Sequence, residues 1–126
     1  MPPRRFDHID LRVPDLARAK DFYGRLLPIL GFSEPQHVPG WISSAATGSE
    51  PSEFFGFIES PDHRPNENRI AFWAESNEAV DALAPLLREI GARNIEGPLY
   101  EEEGYYAIFF EDPFGNRLEL CHRTRN

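Results

Sequence analysis

A pattern that occurs twice constrains this chain more than any single motif. Residues Phe6-Asp7-His8-Ile9-Asp10-Leu11-Arg12-Val13 alternate with period two, so Ile9, Leu11 and Val13 share one face and His8, Asp10 and Arg12 the other. Pro14 ends that strand and Asp15 is placed to cap a helix. Leu16, Ala19, Phe22, Tyr23, Leu26, Leu27 and Leu30 then recur at helical spacing until Gly31. Strands follow at Phe32 to Val38, Trp41 to Ala46 and Glu53 to Glu59, the first two around the Pro39-Gly40 turn. Ser60 to Asn68 is polar and holds Pro61 and Pro65, as a connector would.

The order then begins again. Arg69 to Ala74 reads as a strand with Ile70, Phe72 and Ala74 on one face. Ser76 or Asn77 caps a helix carrying Ala79, Val80, Leu83, Leu86, Leu87 and Ile90, and Gly91 ends it. Pro85 inside this pattern predicts a kink or a late start. Ala92 to Glu96 and Tyr105 to Phe110 read as strands, flanking Glu101-Glu102-Glu103 as a solvated loop. The Asp112-Pro113 and Gly115-Asn116 pairs are turn chemistry. In the last strand Leu118, Leu120 and His122 share one face, and Glu119, Cys121 and Arg123 the other.

Two anchors align the halves. His8-Ile9 against Arg69-Ile70 gives an offset of 61 (69 − 8), and Glu50-Pro51 against Asp112-Pro113 gives 62 (112 − 50). The expectation is an α+β fold, one domain over residues 1–126, made of two βαβββ modules at about 1–62 and 66–126. Joined edge to edge, they would form a curved mixed sheet around a cleft, with the helices outside. If the apolar faces pack on the helices, His8, Arg69 and Glu119 line the cleft, together with Phe57, the repeat counterpart of Glu119 (119 − 62).

Composition narrows the function classes. A formal charge of −8 argues against a nucleic-acid surface, which needs clustered Lys and Arg. No run approaches the roughly eighteen apolar residues of a membrane span. A single cysteine, Cys121, excludes an internal disulfide framework and points to a reducing, cytoplasmic setting. With no neighbouring nucleophile motif, Cys121 reads as a small buried hydrophobe.

The opening Phe6 to Leu16 and the closing Glu111-Asp112-Pro113-Phe114-Gly115-Asn116-Arg117-Leu118-Glu119-Leu120 resemble the vicinal oxygen chelate superfamily of glyoxalases, bleomycin-resistance proteins and extradiol dioxygenases. The resemblance spans essentially the whole chain and is nearest to small bacterial glyoxalase-like proteins. It implies a small-molecule ligand, a homodimer, and lyase, isomerase or dioxygenase-like chemistry if the chain is an enzyme. In metal-using members, His8 would match the first-strand ligand and Glu119 the last-strand ligand, while Arg69 stands where a second-half His is usual. A guanidinium cannot ligate a cation, so the divalent metal is expected to be lost, with only His8 and Glu119 remaining of its ligand set. If the alignment slips at Arg69, Glu67 becomes a ligand candidate.

Three roles for the charged residues stay open at this level. Arg69 and Glu119 form a structural ion pair, Arg69 stabilises a substrate oxyanion, or His8 acts beside it as a base. Trp41, Trp73, Tyr105 and Tyr106 are candidate substrate-binding aromatics with Phe57. A metal-free protein that sequesters a small molecule or antibiotic is the alternative to an enzyme on an oxygenated metabolite.

Overall fold

The computed structural model describes residues 5–46 and 52–124. The Glu50-Pro51 anchor, Arg4 and Arg125 lie outside them. The chain divides into two compact units, residues 1–63 and 64–126, and each contains one complete copy of the repeated pattern.

In the first unit the order is β1 (His8–Val13), α1 (Leu16–Ile29), β2 (Phe32–Val38), β3 (Trp41–Ala46) and β4 (Phe54–Glu59). The sheet order is β1-β4-β3-β2, with β1 parallel to β4 and the other pairs antiparallel. Parallel pairing needs a long crossover, and α1 with the β2–β3 hairpin supplies it. Asp15 caps α1 by accepting from the Arg18 amide at 3.1 Å, and Glu59 at the end of β4 accepts from the Leu16 amide at 3.0 Å. These bonds satisfy two of the free amides at the start of the helix. Ala19, Phe22, Tyr23, Leu26 and Leu27 form the buried stripe of α1. Tyr23 packs on Phe55 and Phe57 with ring centroids 5.7 and 5.1 Å away.

The second unit repeats the topology as β5 (Arg69–Trp73), α2 (Asn77–Ile90), β6 (Arg93–Glu102), β7 (Tyr105–Glu111) and β8 (Arg117–Arg123), in sheet order β5-β8-β7-β6. Val80, Leu83, Ala84 and Leu87 are the buried residues of α2, which packs on β6, β7 and β8. Ile108, Phe110, Leu118 and Leu120 are the buried residues that alternate onto that side of the sheet. Each such large side chain contributes about 1.5–3 kcal/mol on full burial. The helix starts directly after its Ser76 cap and continues through Pro85 to Gly91, so there is no late start. Strand β6 is longer than its sequence pattern suggested and takes in Glu101 and Glu102, leaving only the Glu103-Gly104 tip outside the strands. Antiparallel pairing with β7 carries it past three register shifts, two of them on either side of Glu96.

The register corrects the repeat alignment. His8 pairs with Phe54 in the first sheet and Arg69 with Arg117 in the second, so the last strands are offset by 63 (117 − 54) rather than 62. One residue of slip transfers every side chain of a strand to the other face. The counterpart of Glu119 is therefore Gly56 (119 − 63), and Phe57 corresponds to Leu120 (57 + 63). Phe57 is 2% exposed and packs under α1 rather than beside His8.

Candidate functional site

Each sheet has one face covered by its helix and one face turned away from it. Alternation along β1 puts His8 and Asp10 on the open face of the first module. The His8 ring stacks on Phe54, with centroids 4.4 Å apart and planes within 3°. Its Nδ1 lies 2.8 Å from Asp7 Oδ2 and its Nε2 3.5 Å from Asp10 Oδ2. Carboxylates beside both ring nitrogens fix the orientation of the imidazole. Trp41 Nε1–H donates to Asp10 Oδ1 at 3.1 Å. The indole and that carboxylate occupy the space above Gly56, where a Cβ would stand 2.6 Å from Asp10 Oδ1 and 2.8 Å from Trp41 Nε1. The position matching Glu119 is thus filled from neighbouring strands.

On the open face of the second module Arg69, Phe109, Glu119 and Tyr105 come together. Arg69 lies over the Phe109 ring, its Cζ 4.8 Å from the centroid. Phe109 is the direct cross-strand neighbour of Glu119. Glu119 is 4% exposed and accepts a hydrogen bond from the Tyr105 hydroxyl. The Arg123 guanidinium covers the Tyr105 ring at 3.8 Å. Burial raises the Tyr105 pKa well above the ordinary phenol value, and the hydrogen bond and charge of Glu119 add to it. Tyr105 is therefore a neutral donor at physiological pH. Burial and the Glu119 charge also raise the Cys121 thiol pKa, which leaves it a poor nucleophile.

The sequence-predicted residues separate accordingly. Arg69, Glu119 and Tyr105 share one open face, whereas Arg69 and Glu119 form no ion pair with each other. Tyr106 is not a neighbour of that site. It alternates onto the α2 side and donates to Asp81 Oδ1 at 2.5 Å. That hydrogen bond is the main cause of its raised pKa. Trp73 is 61% exposed and lies beside His122, the centroids 5.8 Å apart. It stands four residues along β5 from Arg69, about 13 Å away. Asp7, Asp10, Phe109, Arg117 and Glu96 were not singled out from the sequence. Asp10 was findable, because it alternates with His8 on the same strand face; Phe109 required the β7–β8 register.

Among the described residues no group of three or more His, Cys, Asp or Glu is placed to hold a metal ion. Arg69, which the resemblance aligns with a usual ligand position, cannot ligate a cation, and Glu119 is engaged by Tyr105. These residues do not fit the three-ligand divalent centre that the resemblance implies. No helix of the described residues is long and apolar enough to cross a membrane.

Residues 5–120 match the sequence profile of the Glyoxalase/Bleomycin resistance protein/Dioxygenase superfamily. The chain belongs to this superfamily. An uncharacterised protein of Bacillus subtilis, YqjT, is 33% identical, with 90% of this chain and 94% of that protein covered. Among solved structures, a glyoxalase/bleomycin resistance protein from Albidiferax ferrireducens aligns with a TM-score of 0.80 and 26% identity, covering 96% of this chain and 100% of that one. The fosfomycin resistance protein FosX of Listeria monocytogenes shares the fold, with a TM-score of 0.74 at 21% identity, covering 98% and 96% of the two chains.

Proposed function

We propose that this superfamily member binds a small oxygenated molecule on the open face of its second module, with Arg69 supplying the fixed positive charge that a metal supplies elsewhere in the superfamily. One observation carries this reading. The Arg69 guanidinium has no ion-pair partner among the described residues, stands on the aromatic floor of Phe109, and shares its face with buried Glu119. Arg69 itself is exposed, and the Phe109 ring beneath it holds the guanidinium ready to meet a carboxylate or enolate oxygen from the solvent side. Arg suits this role because its planar fork engages an oxyanion through two donors.

The test has two arms. Chelator-stripped protein is titrated with Mn, Fe, Ni and Zn by calorimetry, alongside Arg69→His. Wild type is expected to take up none, and Arg69→His to gain a site. Tight uptake of one equivalent by wild type, abolished by Glu119→Gln, would falsify the reading. In the second arm, small carboxylates and enolisable carbonyl compounds are screened by thermal shift, and Arg69→Gln is expected to erase the hits. Turnover of any hit that is lost in His8→Ala or Glu119→Gln, with the fold intact, assigns the chain as an enzyme.

A second reading, sequestration without chemistry, has its own support. A cavity of about 550 Å³ lies beside α1, with Tyr23, Leu27, Ile42 and Phe57 on its apolar part. That volume lies within the range of small-molecule pockets. Stoichiometric binding without product, insensitive to Glu119→Gln but lost in Ile42→Asp, would favour it over the first.

A further inference from the structure

The first residues of β5 and β8 present an arrangement that strand pairing alone disfavours. Arg69 and Arg117 are direct partners in the parallel ladder. Like charges placed opposite each other on neighbouring strands destabilise a sheet. Arg117 has no hydrogen-bond or ion-pair partner among the described residues, and Arg69 has only the Phe109 ring. Both guanidiniums line one cavity of about 490 Å³. Two carboxylates also line it, and they differ in their engagement. Glu111 accepts from Asn94 Nδ2 at 2.9 Å and lies 3.9 Å from the Arg93 guanidinium. Glu96, the cross-strand neighbour of Phe109 on β6, has no such partner. The uncommitted groups around this space are therefore two positive charges from β5 and β8 and one negative charge from β6.

We propose that this cavity is a recognition site for a small acidic amino acid, a ligand with two acid groups and one ammonium. Resting on the reading that Arg69 binds an oxyanion, it names the class of molecule that carries it. The guanidiniums of Arg69 and Arg117 take the acid groups, and Glu96 takes the ammonium across the Phe109 ring. This pattern of charges matches the ligand's own, so each exposed charge of the pocket gains a partner and the repulsion between the two guanidiniums is relieved. A dianion without an ammonium would leave Glu96 facing negative charge. A neutral amino acid would leave one guanidinium unpaired.

Calorimetry on the full chain with three probes tests this: L-glutamate, glutarate (the two acids without the ammonium), and 4-aminobutyrate (the ammonium with one acid). L-Glutamate is expected to bind at one equivalent, and the other two at least about tenfold more weakly, the scale of one lost charge-assisted contact. Arg117→Gln should weaken L-glutamate about tenfold or more. Glu96→Gln should weaken L-glutamate while leaving glutarate unchanged or tighter, a reversal that loss of folding cannot produce. Glutarate binding as tightly as L-glutamate, with Glu96→Gln moving neither, overturns the proposal; so does the absence of binding by all three probes. The oxyanion reading of Arg69 fails separately, when the carboxylate screen yields no ligand that Arg69→Gln removes.

Discussion

Glu119 and Tyr105 illustrate how one contact sets the chemistry of a sheet face. Replacing Tyr105 with Phe removes the donor from a carboxylate that is 4% exposed, and should cost about 1–3 kcal/mol in urea or thermal unfolding. The pH dependence has a defined sign. A folded-state phenol pKa raised above the unfolded value contributes stability that is complete below about pH 10 and lost as pH rises through the folded pKa. Wild type should therefore lose stability above about pH 10 more steeply than Tyr105→Phe. Parallel alkaline limbs in the two proteins would show that Tyr105 does not titrate differently on folding. On the first module's face, Gly56→Ala forces a Cβ against the Trp41–Asp10 hydrogen bond. In a Trp73→Phe background it should shift Trp41 emission to the red, as the indole is displaced from its carboxylate. An unchanged spectrum would mean that the strand yields instead.

At the scale of elements, the β7–β8 turn holds the second module's sheet in register. Asp112 is fully buried, and its Oδ1 accepts from the amides of Phe114 and Asn116, both at 2.9 Å. Its Oδ2 accepts from Asn116 Nδ2 at 2.8 Å. Asp112→Ala leaves these donors without their partner, and about 2–4 kcal/mol of stability should be lost. Because this turn aligns Glu111 with Arg117, and so Phe109 with Glu119, the same variant should also weaken whatever ligand Arg69 binds. Full affinity at lowered stability would separate the turn from the site. Helix positions were legible in the sequence from spacing and caps: Asp15 acts as read, and of the two candidates Ser76 and Asn77 it is Ser76 that caps α2. The full length of β6 was not, since Gly97, Pro98 and an acidic run carry loop chemistry locally, and it is pairing with β7 that holds them in a strand.

Over the whole molecule the excess of carboxylates matters more than any pair. A net charge of −8 on 126 residues gives self-repulsion that salt screens. Raising sodium chloride from 20 mM to 0.5 M should raise the Tm by roughly a few degrees, the opposite of what a fold held by surface ion pairs would show. A falling Tm would mean that pairs such as Arg93–Glu111 and Arg123–Glu102 outweigh the repulsion.

The repeated pattern in the chain was sufficient to imply two βαβββ modules, because helical and strand periodicities are local properties of the apolar residues. It also placed His8, Arg69 and Glu119 on the faces turned from the helices, since alternation needs no knowledge of partners. Pairing register decided the rest. Phe57 went under α1 because the last strands of the modules are offset by 63 residues, one more than the turn anchors implied. Tyr105 and Tyr106, adjacent in one strand, had to part to opposite faces. That Tyr105 holds Glu119, and that Arg69 stands beside Arg117 rather than pairing with Glu119, depends on which strands lie side by side, a choice made by long-range packing and not by any local run of residues.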